Sequence, residues 1–549
     1  MKRIKLIFIS SFFTLFLFTS CEDSYNIVQD GELNESAITD LTSLRSYLNG
    51  VYTGTYGSAG VTISDQIGFT GIFTDECGVG RGNGGQSLNL HRFFLTTGEG
   101  YASSIWYGNY QVINRCNRTI RMANEQVTVP TDPTDLAEYN SILAEARALR
   151  AFSYFQLLTY FSTDLKDDNA LGVMFFTNVP QASDQLPRVA NGIIFNQIEE
   201  DLEFAFNNVV ASAVTPYKYI RKPMISALRA RMYLYRGNYT LAKQYAEEAI
   251  ATSGVTLTPA TPIVATAPTN PNYSVFVAAN PASAGSPTAA WNTAFYGTAS
   301  TNPYRRMWAD AATGGQGEII WSLDRPAAQT WENIATQFTT NSSNLAGSPL
   351  FEVGRSLFNK LKATPGDVRR YVNVDPTSLI NQNYATDPNY IATDVLVIDK
   401  YPGKTGFVTR NDIKVFRLSE MYLILAECYA NDGNFNGGSN SVASVIKQIK
   451  DARSFLGAQA LPSYADATAA WAGILNERRL ELCFEGHRYI DLKRLANLAG
   501  QTMDRDATDD QISGAELSIP NNDYRYTLPI PLDEIIANPN IQQNPGYTD

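Results

Sequence analysis

The sequence has little of what most metal and acid–base sites are built from. It contains only two histidines, His91 and His487, in 549 residues. The motifs G-x-S-x-G, H-E-x-x-H and C-x-x-C are all absent. These absences argue against zinc sites and serine-hydrolase triads. A glycosidase needs only two carboxylates, and that possibility stays open because the chain has 54 acidic residues.

Charge is also scarce, and its balance is negative. Charged residues make up 18% of the chain, the formal net charge is −11, and the sequence pI is about 5.0. A nucleic-acid partner requires a basic face, and attraction to anionic lipid requires a polybasic segment. The composition therefore argues against nucleic acid as a partner. Aromatic residues, by contrast, are plentiful, with 30 tyrosines and 27 phenylalanines.

The five cysteines give no metal or redox motif. Cys428 and Cys483 lie in apolar helical patterns, which is typical of small core residues. A disulfide between Cys77 and Cys116 is possible, but the sequence alone does not decide it.

The N-terminus has the pattern of an export signal. Three basic residues precede an apolar run at 6–18, which is too short for a permanent membrane span. Small residues then lead to Cys21, an arrangement that resembles a lipobox. We predict a signal peptide at 1–20 and a lipidated tether at 21–40 that begins at Cys21. The alternative is an ordinary secreted protein whose signal happens to end near a cysteine.

Helical patterns dominate the rest of the chain. Asp40 is placed to cap the first helix. Apolar periodicity predicts further helices over 106–122, 136–160, 223–250 and 417–430. Between 54 and 100 the pattern gives way to glycine, serine and asparagine, which predicts a long structured loop.

One short pattern occurs twice. The spacing A-x-x-Y-x-x-x-G-N-[YF] is found at Ala230–Tyr239 and again at Ala426–Phe435. It matches the small and large positions of a tetratricopeptide unit, with Gly-Asn at the turn between two helices. Because the copies are far apart, we expect a helix-pair scaffold interrupted by insertions.

The run from Asn476 to Arg494, NERRLELCFEGHRYIDLKR, combines burial with charge. Helical spacing gives it apolar residues on two sides, so the helix should be buried. Isolated buried charges are costly, so its arginines and carboxylates should pair with one another. A structural ion-pair network is the favoured interpretation. Carboxylates beside His487 could also form an acid/base site.

The same run resembles the signature of the SusD/RagB family, nutrient-binding outer-membrane lipoproteins of the Bacteroidetes. LAEARALRAFSYF, near residue 150, and the closing PIPLDEI and QNPGY are similar to further family motifs. The resemblance extends from about residue 40 to 549 and is weakest over 60–100 and 252–315. It implies a mostly α-helical, tetratricopeptide-like scaffold with long loop excursions and a few short strands. We expect an N-terminal half at 41–255 and a C-terminal half with a loop-rich ligand-facing insertion at 256–549, forming one structural unit.

Two loop regions carry the candidate ligand-binding residues. Sugar rings pack on flat aromatic side chains, while their hydroxyls bind fork-like donors and amides. In the resembled family, the ligand surface is built from these two regions. The candidates are Asp75, Arg81, Asn83, Trp291, Tyr296, Tyr304 and Trp308. Each aromatic could instead fill a small apolar cluster beneath its loop. The G-x-G-x-x-G pattern at 80–85 lacks the context of a dinucleotide site, and the calcium-like loop at 432–443 lacks its final glutamate.

The resemblance implies a function without catalysis and without a cofactor. We expect a surface-exposed lipoprotein that captures an oligosaccharide and passes it to a SusC-like, TonB-dependent barrel, for which it acts as a lid. Peptide capture is one alternative, because it also occurs in the resembled family. A surface glycosidase that uses paired carboxylates is the other.

Overall fold

A computed structural model describes most of the chain. The described residues are 35–53, 59–181, 183–212, 214–262, 300–325, 349–375, 378–404 and 410–548, together with 295–296 and 334. The predicted signal peptide, the lipidation site Cys21 and the candidate Trp291 lie outside these residues.

The described chain is mostly helical, as the sequence predicts. In chain order the helices are α1 Leu41–Thr53, α2 Ala59–Phe73, α3 Leu88–His91, α4 Gly100–Glu125, α5 Pro133–Phe161, α6 Asn191–Asn208, α7 Lys222–Tyr235, α8 Tyr239–Thr252, α9 Pro303–Trp308, α10 Arg355–Ala363, α11 Val368–Asn373, α12 Tyr390–Thr393, α13 Leu418–Asn431, α14 Val442–Arg453, α15 Ala467–Glu481, α16 Arg488–Leu495 and α17 Leu532–Ala537. None of these helices is both long and apolar enough to cross a membrane.

Six short strands form three two-stranded antiparallel ribbons in the described part of the chain. The strands are β1 Cys77–Val79, β2 Leu171–Met174, β3 Arg188–Ala190, β4 Ile319–Leu323, β5 Phe351–Val353 and β6 Ile413–Arg417. β1 pairs with β5, β2 with β3, and β4 with β6. The β1–β5 and β4–β6 ribbons join distant parts of the sequence. The β2–β3 ribbon lies between α5 and α6 in the chain.

The two copies of the repeated pattern form matching helix hairpins. In the first hairpin, α7–α8, the Asn238 amide donates to the Tyr233 carbonyl at 2.9 Å; in the second, α13–α14, Asn434 donates to Tyr429 at 2.8 Å. The glycine of each turn is left-handed, with φ of 74° at Gly237 and 76° at Gly433. The hairpins pack on each other through α8 and α13. The predicted tetratricopeptide-like scaffold is therefore confirmed, although the copies lie almost 200 residues apart.

Helix starts follow local capping chemistry. The Ser43 amide donates to Asp40 Oδ1 at 2.8 Å, which confirms the predicted cap of α1. At α5, Asp132 accepts from two backbone amides, and Pro133 occupies the first turn, where its missing N–H costs nothing. Because α5 is 29 residues long and buried over most of its length, it is the central helix of the N-terminal half.

The segment predicted as a long loop between 54 and 100 contains a buried helix. α2 carries Phe69 and Phe73, both fully buried and both packed against the Tyr489 ring with centroids 5.0 and 5.7 Å away. Residues 63–73 of this helix are buried on nearly every side, so the sequence there has no apolar stripe and periodicity gives no signal. The loop prediction was wrong for this segment.

The C-terminal segment closes over the N-terminal half. The Leu528 amide donates to the Tyr160 carbonyl at 2.8 Å, at the end of α5. Asn544 Nδ2 donates to the Phe161 carbonyl at 3.0 Å, and Arg188 Nη1 donates to the Gln542 carbonyl at 2.9 Å. The end of the chain thus supplies the hydrogen bonds that α5 lacks at its C-terminus.

Candidate functional site

The charged run near the C-terminus forms a buried ion-pair network. Glu481 is fully buried and binds three arginines: Arg453 at 2.7 Å, Arg417 at 2.9 Å and Arg369 at 3.1 Å. Glu318, at the start of β4, pairs with Arg417 and Arg453 at 2.6 and 2.8 Å. These arginines hold the pKa of Glu481 well below its usual range despite burial. The network ties the helices to β4 and β6, which confirms the structural interpretation of this run.

The run itself does not form one continuous helix. α15 ends at Glu481, and α16 begins at Arg488. Between them, Phe484 and Gly486 have φ of 61° and 85°. The turn directs Glu485 towards Lys400 and Arg417, both at 2.7 Å. The expectation of a single helix through Glu485 was therefore wrong, and the glycine was the signal for the break.

Asp75 belongs to the same type of buried structure. Its carboxylate makes two hydrogen bonds of 2.7 Å to Arg488 and lies 3.3 Å from Arg479. The Asp504 amide donates to it at 2.9 Å. Burial would raise the pKa of Asp75, but the two guanidinium groups hold it well below its ordinary value. Asp75 is 0% exposed, so it joins α2 to α15 and α16 and does not line the surface.

Two of the candidate aromatics cover the network. Tyr304 and Trp308, on α9, are both 0% exposed. The Arg453 guanidinium lies 4.6 Å from the Tyr304 ring centroid, and Lys400 Nζ lies 4.4 Å from that of Trp308. Cations over aromatic faces are stabilised by the ring quadrupole, and more strongly where water is excluded. The two rings therefore pack against the charge network, and their assignment as ligand-binding residues stays a prediction.

Tyr296 packs beside Arg305 and Phe295. Its ring is half-buried, lies 5.0 Å from the Arg305 guanidinium and packs edge-on against Phe295. Asn83 is also largely buried. Its side chain donates to the Gln86 and Leu350 carbonyls, both at 3.0 Å, so it holds its own loop. The ligand-binding assignments of these residues stay predictions.

Arg81 is the predicted site residue whose side chain is exposed. It follows β1 on a loop that is fastened to the segment before β5. The Gly80 amide donates to the Leu350 carbonyl at 2.9 Å, and the Gly82 amide donates to the Pro349 carbonyl at 3.0 Å. A Cβ at Gly80 would lie 2.2 Å from the Pro349 oxygen, so only glycine fits this approach. Within the described residues, the Arg81 guanidinium forms no ion pair.

A small polar cavity of about 30 Å³, room for one water molecule, lies beside Arg81. We call this place the Arg81 cleft. Its walls come from four distant segments: β1, β5, the α12 region, and the loop at 508–511. The residues that line it include Arg81, Glu352, Arg355, Tyr390, Ile391, Asp394, Asp509 and Gln511.

The floor of the Arg81 cleft is held by carboxyl groups with backbone partners. Glu352 accepts from the Arg81 amide at 2.8 Å and from the Leu396 amide at 2.9 Å. Burial nevertheless raises the pKa of Glu352 to about 8. Arg355 pairs with Asp394 at 2.8 Å and stacks on the Tyr384 ring at 3.8 Å. The exposed Arg81 guanidinium, the Gln511 amide and the Tyr390 ring are groups that hydrogen-bond to hydroxylated rings or stack on them.

Comparison with known proteins agrees with this architecture. Residues 281–547 match the model of the SusD family (SusD_RagB). A curated relative, SusD-like protein P2 from Formosa agariphila, is 22% identical and aligns over the whole of both chains. This C-terminal part of the chain belongs to the SusD family.

Solved structures show that the SusD-family fold extends over nearly the whole chain. A SusD superfamily protein from Bacteroides thetaiotaomicron superposes with a TM-score of 0.67 at 22% identity, covering 92% of this chain and 100% of that one. A laminarin-binding SusD-like protein gives a TM-score of 0.61 at 20% identity, covering 92% and 99%. Identity this low establishes a shared fold and leaves the ligand of this chain to be proposed.

Sequence reasoning missed several residues of the Arg81 cleft. Tyr390, which lines the cleft, and Tyr384, which stacks on the lining residue Arg355, lie in a turn-rich segment, NYATDPNY, with no apolar periodicity. Its Asn, Asp and Pro residues are a turn signal, and two tyrosines within it could have marked it. Gln511, which donates to the Gly80 carbonyl at 2.8 Å, lies 431 residues from its partner and carried no local signal.

The described histidines and cysteines of this chain are buried. Burial lowers the pKa of His91 to about 3, and burial with nearby arginines lowers that of His487 far below its usual value. Both imidazoles are therefore neutral at physiological pH. Cys77 and Cys116 are free thiols, so the disulfide left open by the sequence is absent between them.

Proposed function

We propose that this chain is a surface-exposed, lipid-anchored protein that binds oligosaccharides and delivers them to a SusC-like, TonB-dependent transporter as its lid. In this proposal capture and gating are the whole mechanism, and no bond is broken. The observation that carries it is the match of residues 281–547 to the SusD family, together with a fold shared with a laminarin-binding protein of that family.

The Arg81 cleft is the place we propose for first contact with the glycan. The Arg81 side chain is exposed, while its backbone is fixed by Glu352 and by the neighbouring glycines. A donor held on a rigid loop loses little conformational entropy when it binds. The half-buried Tyr390 and the exposed Ile391 offer apolar area beside it.

The proposal predicts that Arg81→Ala weakens glycan binding without affecting the fold. Loss of a charge-assisted hydrogen bond should weaken affinity about tenfold or more, since such bonds contribute about 1.5–3 kcal/mol. Isothermal titration of the mature protein against a panel of laminari-, malto- and cello-oligosaccharides would measure the change. Lys447→Ala, which removes another partly exposed cation, is the matched control and should bind like wild type. Binding of no glycan by wild type would contradict the proposal.

Peptide capture remains the alternative within the same binding class. Extended peptides bind through backbone hydrogen bonds more than through stacked rings. A glycosidase is the weaker alternative from another class. Detection of new reducing ends after prolonged incubation with a bound glycan would favour the enzyme over the binding protein.

A further inference from the structure

A second, larger opening lies on another part of the molecule. It has a volume of about 300 Å³, against about 30 Å³ for the cavity beside Arg81, and shares no lining residue with that cleft. We call it the Tyr107 groove. Its floor is the face of α4 that carries Tyr107, Gln111 and Asn114, which are spaced four and three residues apart.

The groove is bounded by α4, by lining residues between Met174 and Leu186, and by α17 with the following Asn538. Hydrogen bonds fasten each of these parts to its neighbours. Tyr110 Oη on α4 donates to the Met174 carbonyl at 2.9 Å, and the Tyr110 ring stacks on Phe176 at 5.8 Å. Trp106 Nε1 donates to Glu534 Oε2 on α17 at 3.1 Å. Asn538 Nδ2, just after α17, donates to the Leu186 carbonyl at 2.9 Å and so joins the end of α17 to the residues near Leu186. The opening is therefore formed before any ligand arrives.

The chemistry of the lining restricts the ligand. Apolar and aromatic surface predominates, with half-buried rings at Tyr107 and Phe176. The polar groups include the amides of Gln111, Asn114, Gln181 and Asn538 and the carboxylates of Asp184 and Glu534. Among the described residues that line the groove, none is basic. Carboxylates without a nearby lining cation repel anionic sugars, whereas they accept hydrogen bonds from uncharged hydroxyls.

We propose that the Tyr107 groove is a second carbohydrate-binding site, which takes an uncharged sugar ring. The proposal rests on the function proposed above and extends it. The ring would lie against Tyr107 and Phe176, with its hydroxyls donating to Glu534 and exchanging hydrogen bonds with Gln111. About 300 Å³ is at the lower end of the range for ligand pockets, which suits one or two rings of a chain. Two sites on one surface lipoprotein would hold a long glycan by multivalency.

Hydrogen exchange of the full mature chain locates the binding directly. The probes are laminarihexaose, maltohexaose and cellohexaose, with tetragalacturonate as the anionic control. Protection of the peptides over 107–114 and 174–186 by an uncharged probe, with none from tetragalacturonate, is the expected result. Protection confined to the peptides around 78–83, 384–396 and 508–511 would overturn the groove and leave the proposed function standing. Protection by none of the uncharged probes would count against both.

Variants then test the side chains. Tyr107→Ala should weaken binding at this site about tenfold, which corresponds to about 1.4 kcal/mol. Gln111→Phe fills the groove from an exposed position, so it should block binding without disturbing the core. Tyr422→Ala, which removes another half-buried tyrosine, is the matched control. Unchanged groove protection in both Tyr107→Ala and Gln111→Phe would overturn the inference.

Discussion

Single carboxylates decide how elements of the C-terminal half are held together. Glu481 contacts three arginines that come from α11, β6 and α14, so one side chain neutralises charge from three elements. Removing one member of a buried ion pair leaves its partners uncompensated, which costs more than the pair itself contributes.

Glu481→Gln should therefore be strongly destabilising. We expect the free energy of unfolding to fall by about 3–5 kcal/mol, because three buried guanidinium groups lose their shared anion. Urea denaturation followed by circular dichroism would measure the change. Glu247→Gln removes an exposed carboxylate on α8 and should change stability by less than about 0.5 kcal/mol. Equal stability of the two variants would contradict a structural role for the network.

Burial of Glu76 predicts that the stability of the protein depends on pH. It is fully buried, and its Oε1 accepts from the Phe484 amide at 3.0 Å, while Oε2 has no hydrogen-bond partner among the described residues. Burial raises the pKa of Glu76 to about 8. The folded state thus holds a proton that the unfolded chain releases at an ordinary carboxyl pKa. The stability that this group contributes is present at low pH and is lost as the pH rises towards 8.

Glu76→Gln should remove that part of the pH dependence. The amide keeps the acceptor for Phe484 and carries no titratable proton. The difference in unfolding free energy between variant and wild type should grow by about 1 kcal/mol per pH unit between pH 5 and 8. Chemical denaturation at several pH values measures it. Parallel pH profiles of variant and wild type would show that Glu76 is ionised throughout.

At this scale the sequence predicts charge better than exposure. Buried arginines and carboxylates must find partners, so the pairing around Glu481 follows from composition and helical spacing alone. Whether an aromatic faces solvent depends on what packs over it. Trp308 lies beneath Lys400 and Tyr401, which are remote in sequence. The sequence around Trp308 therefore does not distinguish it from an exposed, ligand-binding tryptophan.

Among the elements, the helix hairpins were the most predictable. Gly-Asn turns, the apolar periodicity of both partners and their repetition are local signals. α2 was missed because a helix buried on every side has no stripe. The β1–β5 ribbon was also not predicted, since its strands have three residues each and lie more than 270 residues apart.

The turn glycines of the hairpins allow a direct test. Gly237→Ala and Gly433→Ala should each lower the unfolding free energy by about 1–2 kcal/mol, because a Cβ is strained at φ of 74° and 76°. At Gly433 a Cβ would meet no atom within 4 Å, so the cost there is purely conformational. Thermal and urea denaturation would measure both.

Gly50→Ala is the contrasting control for these turns. Gly50 lies within α1, and a Cβ there would also meet no neighbour. Alanine is the better helix former, so the variant should be more stable by about 0.5–1 kcal/mol. Destabilisation at Gly50 equal to that at Gly433 would rule out the conformational explanation.

For the whole molecule, attachment to a membrane is a proposal that rests only on the sequence pattern ending at Cys21. We expect Cys21→Ser to abolish acylation and to move the protein from the membrane fraction to the soluble fraction when it is expressed without a partner barrel. The substitution removes the acyl anchor at Cys21. An acidic protein has no polybasic segment to attract anionic lipid, so we expect its affinity for the membrane to be lost. Metabolic labelling with an alkyne fatty acid, followed by fractionation, measures both effects. Ser24→Ala is the control and should stay labelled and membrane-bound.

The closing segment also constrains how the protein is made. Residues 528–544 cap α5 and complete the Tyr107 groove, yet the ribosome adds them after almost all the rest. The N-terminal half therefore lacks its final partners throughout synthesis, and an early stop would leave the end of α5 and the groove open. The N-terminal half therefore reaches its finished form only after residues 528–544 have been synthesised.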